Sequence, residues 1–235
     1  GYGAEYGRST GGVINVVTKR GDNNWKGGVG LHVIPSSLRA TPKNIRRTDG
    51  QLFQDRSENT SSATQYTGYL SGPVIKDKLF VYAAGDFTRT TGNNISSILA
   101  PQFTTEVSKA KKWLAKVDWN ITDNHIVEFT GLSDQTRTDR TVYKYSYANE
   151  ARGNLIGGDK LENAASLAGS APGGDVYIGK YTGYITDNLT VNALYGTSNS
   201  DHKRTLAYAG SPNCPWITAS RTKITSPIIG CGLVN

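Results

Sequence analysis

The sequence of 235 residues has no Met, two Cys, five Phe and little hydrophobic content, 37% in all. Apolar usage nearer one half is normal for a soluble domain of this size, so a thick buried core is not expected. No apolar run approaches the ~18 residues that a membrane-crossing helix needs, which excludes helical spans and leaves strands untouched. Cys214 and Cys231 stand 17 positions apart in a Pro/Gly/Ser-rich segment, without CxxC spacing, so a zinc site is not expected. They read as a loop-closing disulfide of an oxidising compartment, or as two unpaired thiols. The three histidines, His32, His125 and His202, are scattered and form no metal or catalytic spacing. No GxSxG elbow and no phosphate-cradling glycine motif occurs. The chain is therefore read as a non-enzyme, with no cofactor and no metal. The formal net charge is +7, but the 26 Lys and Arg are dispersed rather than gathered on a stripe with stacking aromatics, and no nucleic-acid partner is expected. The chain opens without Met and without a signal peptide, and the expectation is a piece of a longer polypeptide.

What is present is alternation. Trp25, Gly27, Val29, Leu31 and Val33 fall on one face of a strand, with Lys26, Gly28, Gly30 and His32 on the other. The same period recurs over 65–75, 79–90, 112–122, 126–147, 175–186 and 190–207, giving seven expected strands. One face carries residues such as Val81, Ala83, Phe87, Trp113, Val117, Phe129, Tyr177 and Tyr195. The other carries Lys116, Asp118, Glu128 and Lys180. Asp134 to Arg140 is polar on both faces and is expected to project beyond any apolar surroundings.

Short polar turns at 76–78, 123–125 and 187–188 alternate with long expected connections at 35–64, 91–109 and 148–174, and the tail 208–235 reads as loop. Long structureless loops are unusual in compact soluble domains. Short turns at one end and long loops at the other mark outer-membrane barrels. Trp25, Tyr66, Trp113, Trp119, Tyr177 and Tyr195 sit near strand ends, where interfacial girdles lie. A soluble β-sandwich or lipocalin-like barrel, with one face as core, is the other architecture that fits the alternation. Asp86, Asp118 and Glu128 are candidates for a close carboxylate pair on the wet face, or for ion pairs with Lys116 and Lys180.

The opening run Ala4 to Lys19 contains Glu5-Tyr6-Gly7-Arg8, then Gly11-Gly12-Val13-Ile14-Asn15 and Val17-Thr18-Lys19, followed by a Gly21-Asp22-Asn23 turn. It resembles the end of the plug domain of TonB-dependent outer-membrane receptors, most of all their Oar-like branch. Leu70-Ser71-Gly72-Pro73-Val74-Ile75-Lys76-Asp77-Lys78-Leu79-Phe80 is similar to that branch's second barrel hairpin. The resemblance implies an all-β fold: an antiparallel transmembrane β-barrel segment, about seven long strands of a plugged barrel of roughly 22 strands, with long extracellular loops.

Residues 1–20 would be the end of the plug, 21–24 the plug–barrel linker, and 25–235 the N-terminal portion of the barrel. Val13 to Lys19 would be a strand inside or at the rim of the barrel. Glu5 and Arg8 match charged plug positions that pair with the wall, or else cap a solvated turn. Gly11 and Gly12 would let the last plug strand run close to the wall. The implied function is TonB-dependent import of a bulky nutrient (siderophore, oligosaccharide or peptide) across the bacterial outer membrane. The alternative is a surface protein for adhesion, assembly or phage binding on the same scaffold. The implied partners are the TonB complex, reached through an upstream region, outer-membrane lipid and lipopolysaccharide, and an unidentified extracellular ligand.

Overall fold

A computed structural model describes residues 19–163, 174–200 and 203–208. The strands are β1 (Lys26–Ile34), β2 (Ile45–Arg46), β3 (Leu52–Gln54), β4 (Thr60–Ile75), β5 (Leu79–Ile95), β6 (Gln102–Thr122), β7 (His125–Ser146), β8 (Ala151–Glu162), β9 (Asp175–Thr186), β10 (Leu189–Asn199) and β11 (Lys203–Tyr208). Nine of them form one open antiparallel sheet, and β2 and β3 form a separate small hairpin.

β7 is long enough to take two neighbours end to end. Its lower half, His125 to Ser133, pairs with β9, and its upper half, Arg137 to Ser146, pairs with β8. The next lane repeats the arrangement, β10 on β9 and β11 on β8. The nine strands therefore occupy seven lanes, and the seven expected strands correspond to these lanes. At the break, the Asp134 and Gly174 backbones bond each other in both directions, and Asn163 N–H donates to the Thr136 carbonyl at 2.7 Å.

Two expected loops are strand instead. The segment 91–109 is a continuation of the β5–β6 hairpin, which turns only between Ile95 and Gln102. The segment 148–174 holds a tight turn and then β8. Sequence periodicity fails in both because their few apolar residues, such as Ile95, Phe103 and Leu161, are separated by polar stretches and glycines and do not alternate. A strand needs only a paired backbone, and an edge flanked by water places no apolar demand on either face. The connection after β1 is the one long link on that side of the described sheet, and β4 begins within its expected range, at Thr60.

The register aligns the apolar rows of all lanes. Gly72 lies opposite Val81, Val81 opposite Val117, Val117 opposite Phe129, Phe129 opposite Gly179, and Gly179 opposite Tyr195. This outer face is open: Val29 is 96% exposed and Tyr195 76%. Buried apolar residues among those described are few: Phe80, Ile95, Phe103, Tyr145 and Leu161. No second layer of the described residues covers the apolar rows from Gly72 to Tyr195, which argues against the sandwich.

At the upper end, the end away from the short turns, the link after β1 folds back onto the sheet. Gln54 Nε2 donates to the Ile95 carbonyl at 2.9 Å, and Ile98 N–H to the Phe53 carbonyl at 2.9 Å. Tyr145 O–H donates to buried Asp55 at 2.6 Å, and Tyr147 O–H to the Ser96 carbonyl at 2.5 Å. Ile95, Phe103 and Tyr145 pack together beneath, with Tyr143 and Tyr147 beside them.

Candidate functional site

The face opposite the apolar one gathers charge. Directly opposite residues in a sheet share a face, so Phe80, Asp118, Glu128 and Lys180 form one row across β5, β6, β7 and β9. Lys116 stands one pair higher, two residues from Asp118 on the same face. Its ammonium lies 3.3 Å from Asp118 Oδ1 and 3.0 Å from Glu128 Oε1, and Lys180 Nζ lies 3.1 Å from Glu128 Oε2. Alternating signs thus run Asp118–Lys116–Glu128–Lys180. Of the expected acids, Asp118 and Glu128 are brought together through Lys116, whereas Asp86 is engaged by Gln65 at 2.7 Å and Thr88 at 2.8 Å.

The Asp118 end of the chain is the buried end. Its side chain is 1% exposed, and neither carboxylate oxygen has a hydrogen-bond partner among the described residues. Arg20 is near enough for its charge to act on that carboxylate. A buried charge of this kind persists only with charge compensation nearby.

Residues 19–24 lie against this region. Gly21 is buried, and a Cβ on it would stand 2.6 Å from the Val81 carbonyl oxygen and 3.1 Å from Phe80 Cβ. Only hydrogen fits there, because the obstacle is backbone. Asp22 then folds back to accept from Asn24 N–H at 2.9 Å and pairs with Lys26. Asn23 Oδ1 accepts from Asp77 N–H at 2.9 Å, tying the segment to the turn between β4 and β5. Asp77 has a left-handed backbone, φ 62°, which a short Asx side chain tolerates. The Trp25 ring lies against Gly72, a member of the apolar outer row. The chain therefore meets the charged face at Gly21, is fastened under the β4–β5 turn, and puts its first aromatic on the apolar face.

The sequence singled out neither Arg20 nor Gly21 as a contact. The signal was available in part: Gly21 sits at the junction of a basic residue and an Asx-rich turn, but the residues it meets, Gly72, Phe80 and Val81, come far later in the chain. Glu5, Arg8, Gly11, Gly12, Cys214, Cys231 and His202 lie outside the described residues, as does Val13 to Thr18 of the expected plug strand. His32 is on β1, and His125 Nδ1 lies 2.6 Å from the Tyr181 hydroxyl. Among the described residues no group of three or more His, Cys, Asp or Glu is placed to hold a metal ion.

Over 91 residues, 38% of its length, the chain is 41% identical to the TonB-dependent transporter Oar of Myxococcus xanthus. The chain is homologous to a TonB-dependent transporter. The matched stretch spans 8% of that relative. No family model matches the chain, and no solved structure matches it. The sheet has one apolar and one charged face.

Proposed function

We propose that this chain forms part of the wall of a plugged outer-membrane β-barrel that imports a bulky nutrient by a TonB-dependent mechanism. The observation that carries the reading is the path of residues 19–25, which contact the wall from its charged face and then begin the first strand. A plug inside a barrel must leave in this way. In lipid, every backbone polar group must be paired internally, which requires further strands to close the two open edges.

The aromatic row supports the membrane setting. From Phe87 on β5 through Trp113 and Tyr177 to Tyr195 on β10, it descends six residues across four lanes. A row level with a membrane surface then requires strands tilted by about 45°, close to the ~35–45° of membrane barrels. The end bearing the short turns at 76–78, 123–124 and 187–188 would face the periplasm.

On this reading residues 1–20 end the plug and residues 21–24 are the linker. Glu5 and Arg8 pair with the wall, Gly11 and Gly12 allow close approach, and Cys214 and Cys231 close an extracellular loop by a disulfide. A mass shift on alkylation without reductant would rule out that last pairing. The partners are the TonB complex, reached upstream, outer-membrane lipid, and an extracellular ligand bound above the plug. The siderophore, oligosaccharide and peptide classes all suit such a barrel.

The test is made on the intact protein in its native membrane. Extraction only by detergent and heat-modifiable migration are expected, and clean solubility without detergent overturns the membrane reading. Deleting the upstream segment that contacts TonB should abolish energised uptake while the barrel remains in the membrane. Unchanged function would favour the second reading, a surface protein for adhesion, assembly or phage binding. The 17, 21 and 22 residues of β5, β6 and β7, with a loop fastened to their upper ends, build the projecting platform that such a role would use.

A further inference from the structure

We propose that the link after β1 and the upper edge of β4 form a binding cleft for a hexuronic-acid residue of a soluble acidic glycan, with Arg39 holding the sugar carboxylate. The inference rests on the membrane-wall reading above, which puts this end of the sheet outside the cell.

The cleft arises where β1 stops short. Its last residue, Ile34, lies opposite Ala63, so Thr60 to Ser62 of β4 pair with β5 and have no strand on their other side. Residues 36–42 occupy that side instead. Ser36 N–H donates to the Ser62 hydroxyl at 3.1 Å. A short 3-10 turn follows, in which the Pro35 carbonyl accepts from Leu38 N–H at 3.2 Å and the Ser36 carbonyl from Arg39 N–H at 3.1 Å. Across from it, Asn59 Nδ2 donates to Asn94 Oδ1 at 3.2 Å, and Asn59 Oδ1 accepts from Ile95 N–H at 2.8 Å. Both walls are thus held by hydrogen bonds, and between them lies an open cavity of about 390 Å³. That is within the size range of small-molecule sites, ~300–1,000 Å³.

The lining is chemically uniform apart from one residue. Arg39 is its single charged residue, and hydroxyls and amides make up most of the rest, among them Ser37, Thr41, Asn59, Ser61 and Asn94. It contains no carboxylate and no aromatic ring. The Arg39 side chain is exposed and makes no hydrogen bond or ion pair with a described residue. Its guanidinium donors are therefore open to a ligand.

These groups select the ligand. A guanidinium takes a carboxylate through two parallel hydrogen bonds, and one cation balances one negative charge. A phosphate group carries close to two charges at neutral pH and would be left undercompensated. Hydroxyls and amides both donate and accept, as the hydroxyls of a sugar ring do. An aromatic ligand finds no ring to stack on. A hexuronic acid has both matching parts, one carboxylate on a ring of hydroxyls. The neighbouring Lys43, Arg46 and Arg47 of the same link attract a chain of such residues toward the cleft.

The test is isothermal calorimetry on the intact, detergent-extracted protein, with trimers of galacturonate and of mannuronate and their neutral methyl esters as probes. At least one acid trimer should bind about 10- to 100-fold more tightly than its ester, the worth of hydrogen bonds to a charged group. R39Q should abolish that preference. R39K keeps the charge but loses the planar fork, and should keep only part of it. R46Q, whose guanidinium is engaged by the Gly50 carbonyl, should leave the preference in place. Equal binding of acid and ester for both sugars, or a preference that survives R39Q, overturns the proposal. So does inorganic phosphate or acetate that displaces the trimer at equal concentration, since the site would then take any small anion. Should R39Q fail to show heat-modifiable folding, the wild-type comparison and R39K decide. A protein that needs no detergent fails the membrane-wall reading; one that needs detergent but ignores the sugar carboxylate fails this inference alone.

Discussion

Tyr145 and Asp55 are 90 positions apart in the chain, yet the Tyr145 hydroxyl donates to Asp55 Oδ2 at 2.6 Å in a buried contact. Asp55 also accepts from Ser57 N–H at 2.9 Å. The pair clamps the link after β1 to the far upper end of β7. Removing the hydroxyl leaves a buried carboxylate short of a donor, at a cost of about 1–3 kcal/mol. Y145F should therefore make residues 35–59 faster to cleave in limited proteolysis, with the remainder of the sheet unchanged. A cleavage rate equal to wild type would show that the clamp does not hold the link.

The same clamp has a pH window. Burial pushes Asp55 upward, but the Tyr145 and Ser57 hydrogen bonds outweigh it and hold the carboxyl below its ordinary value. A depressed carboxyl contributes stability above its unfolded pKa and loses it as pH falls through the folded value. Burial, the hydrogen bond to Asp55 and the Asp55 charge all raise Tyr145. A raised phenol contributes below its unfolded pKa, about 10, and loses that contribution as pH rises toward the folded value. Proteolytic protection of residues 35–59 should be flat from about pH 5 to 9 and fall on both sides. Protection in Y145F should have a shallower alkaline limb, the remainder coming from Tyr147, whose raised hydroxyl accepts from Asp55 N–H.

Lys116 touches both carboxylates of the charged face, Asp118 and Glu128, so its loss has a different effect from theirs. K116M leaves Asp118 and Glu128 facing each other with one buried ammonium gone, a destabilisation of about 3–5 kcal/mol. D118N removes a buried charge and should cost far less. Comparing the temperature of heat-modifiable migration for the two variants checks the order; a D118N loss as large as that of K116M would contradict it.

Gly21 reports on how residues 19–24 sit on the sheet. A side chain there meets the Val81 and Gly72 carbonyls, which cannot yield without breaking strand pairing. G21V should cost about 1–3 kcal/mol through overpacking and lift residues 19–24 off the sheet. A cysteine at Phe80, buried under the segment, should react with a maleimide faster in the G21V background than in the native one.

How far the sequence alone carried the fold can be judged from Asp118 and Ser108. Around Asp118 the strand alternates Trp113, Ala115, Val117 against Lys116 and Asp118, and lane, face and turn positions were all legible. Around Ser108 the chain is polar on both faces, and the period that reveals a strand vanishes although β6 runs straight through it. Seven lanes, the apolar outer face and the short turns could be read because a half-apolar environment imprints period two on every strand. The ion pairs of Lys116 with Glu128 and of Glu128 with Lys180 were legible as a set of charges on one face, but not as particular contacts.

The amino-acid sequence by itself determined that this protein is all-β, which face of each strand is apolar and where its tight turns fall, because these depend on neighbours one to four residues away. Only the tertiary structure decided that β8 and β9 share one side of β7, that Gly21 presses on β4 and β5, that Asp55 finds Tyr145, and that Arg89 and Lys109 face each other. Those facts depend on strand register, which brings together residues 20 to 90 positions apart, and no local pattern encodes it.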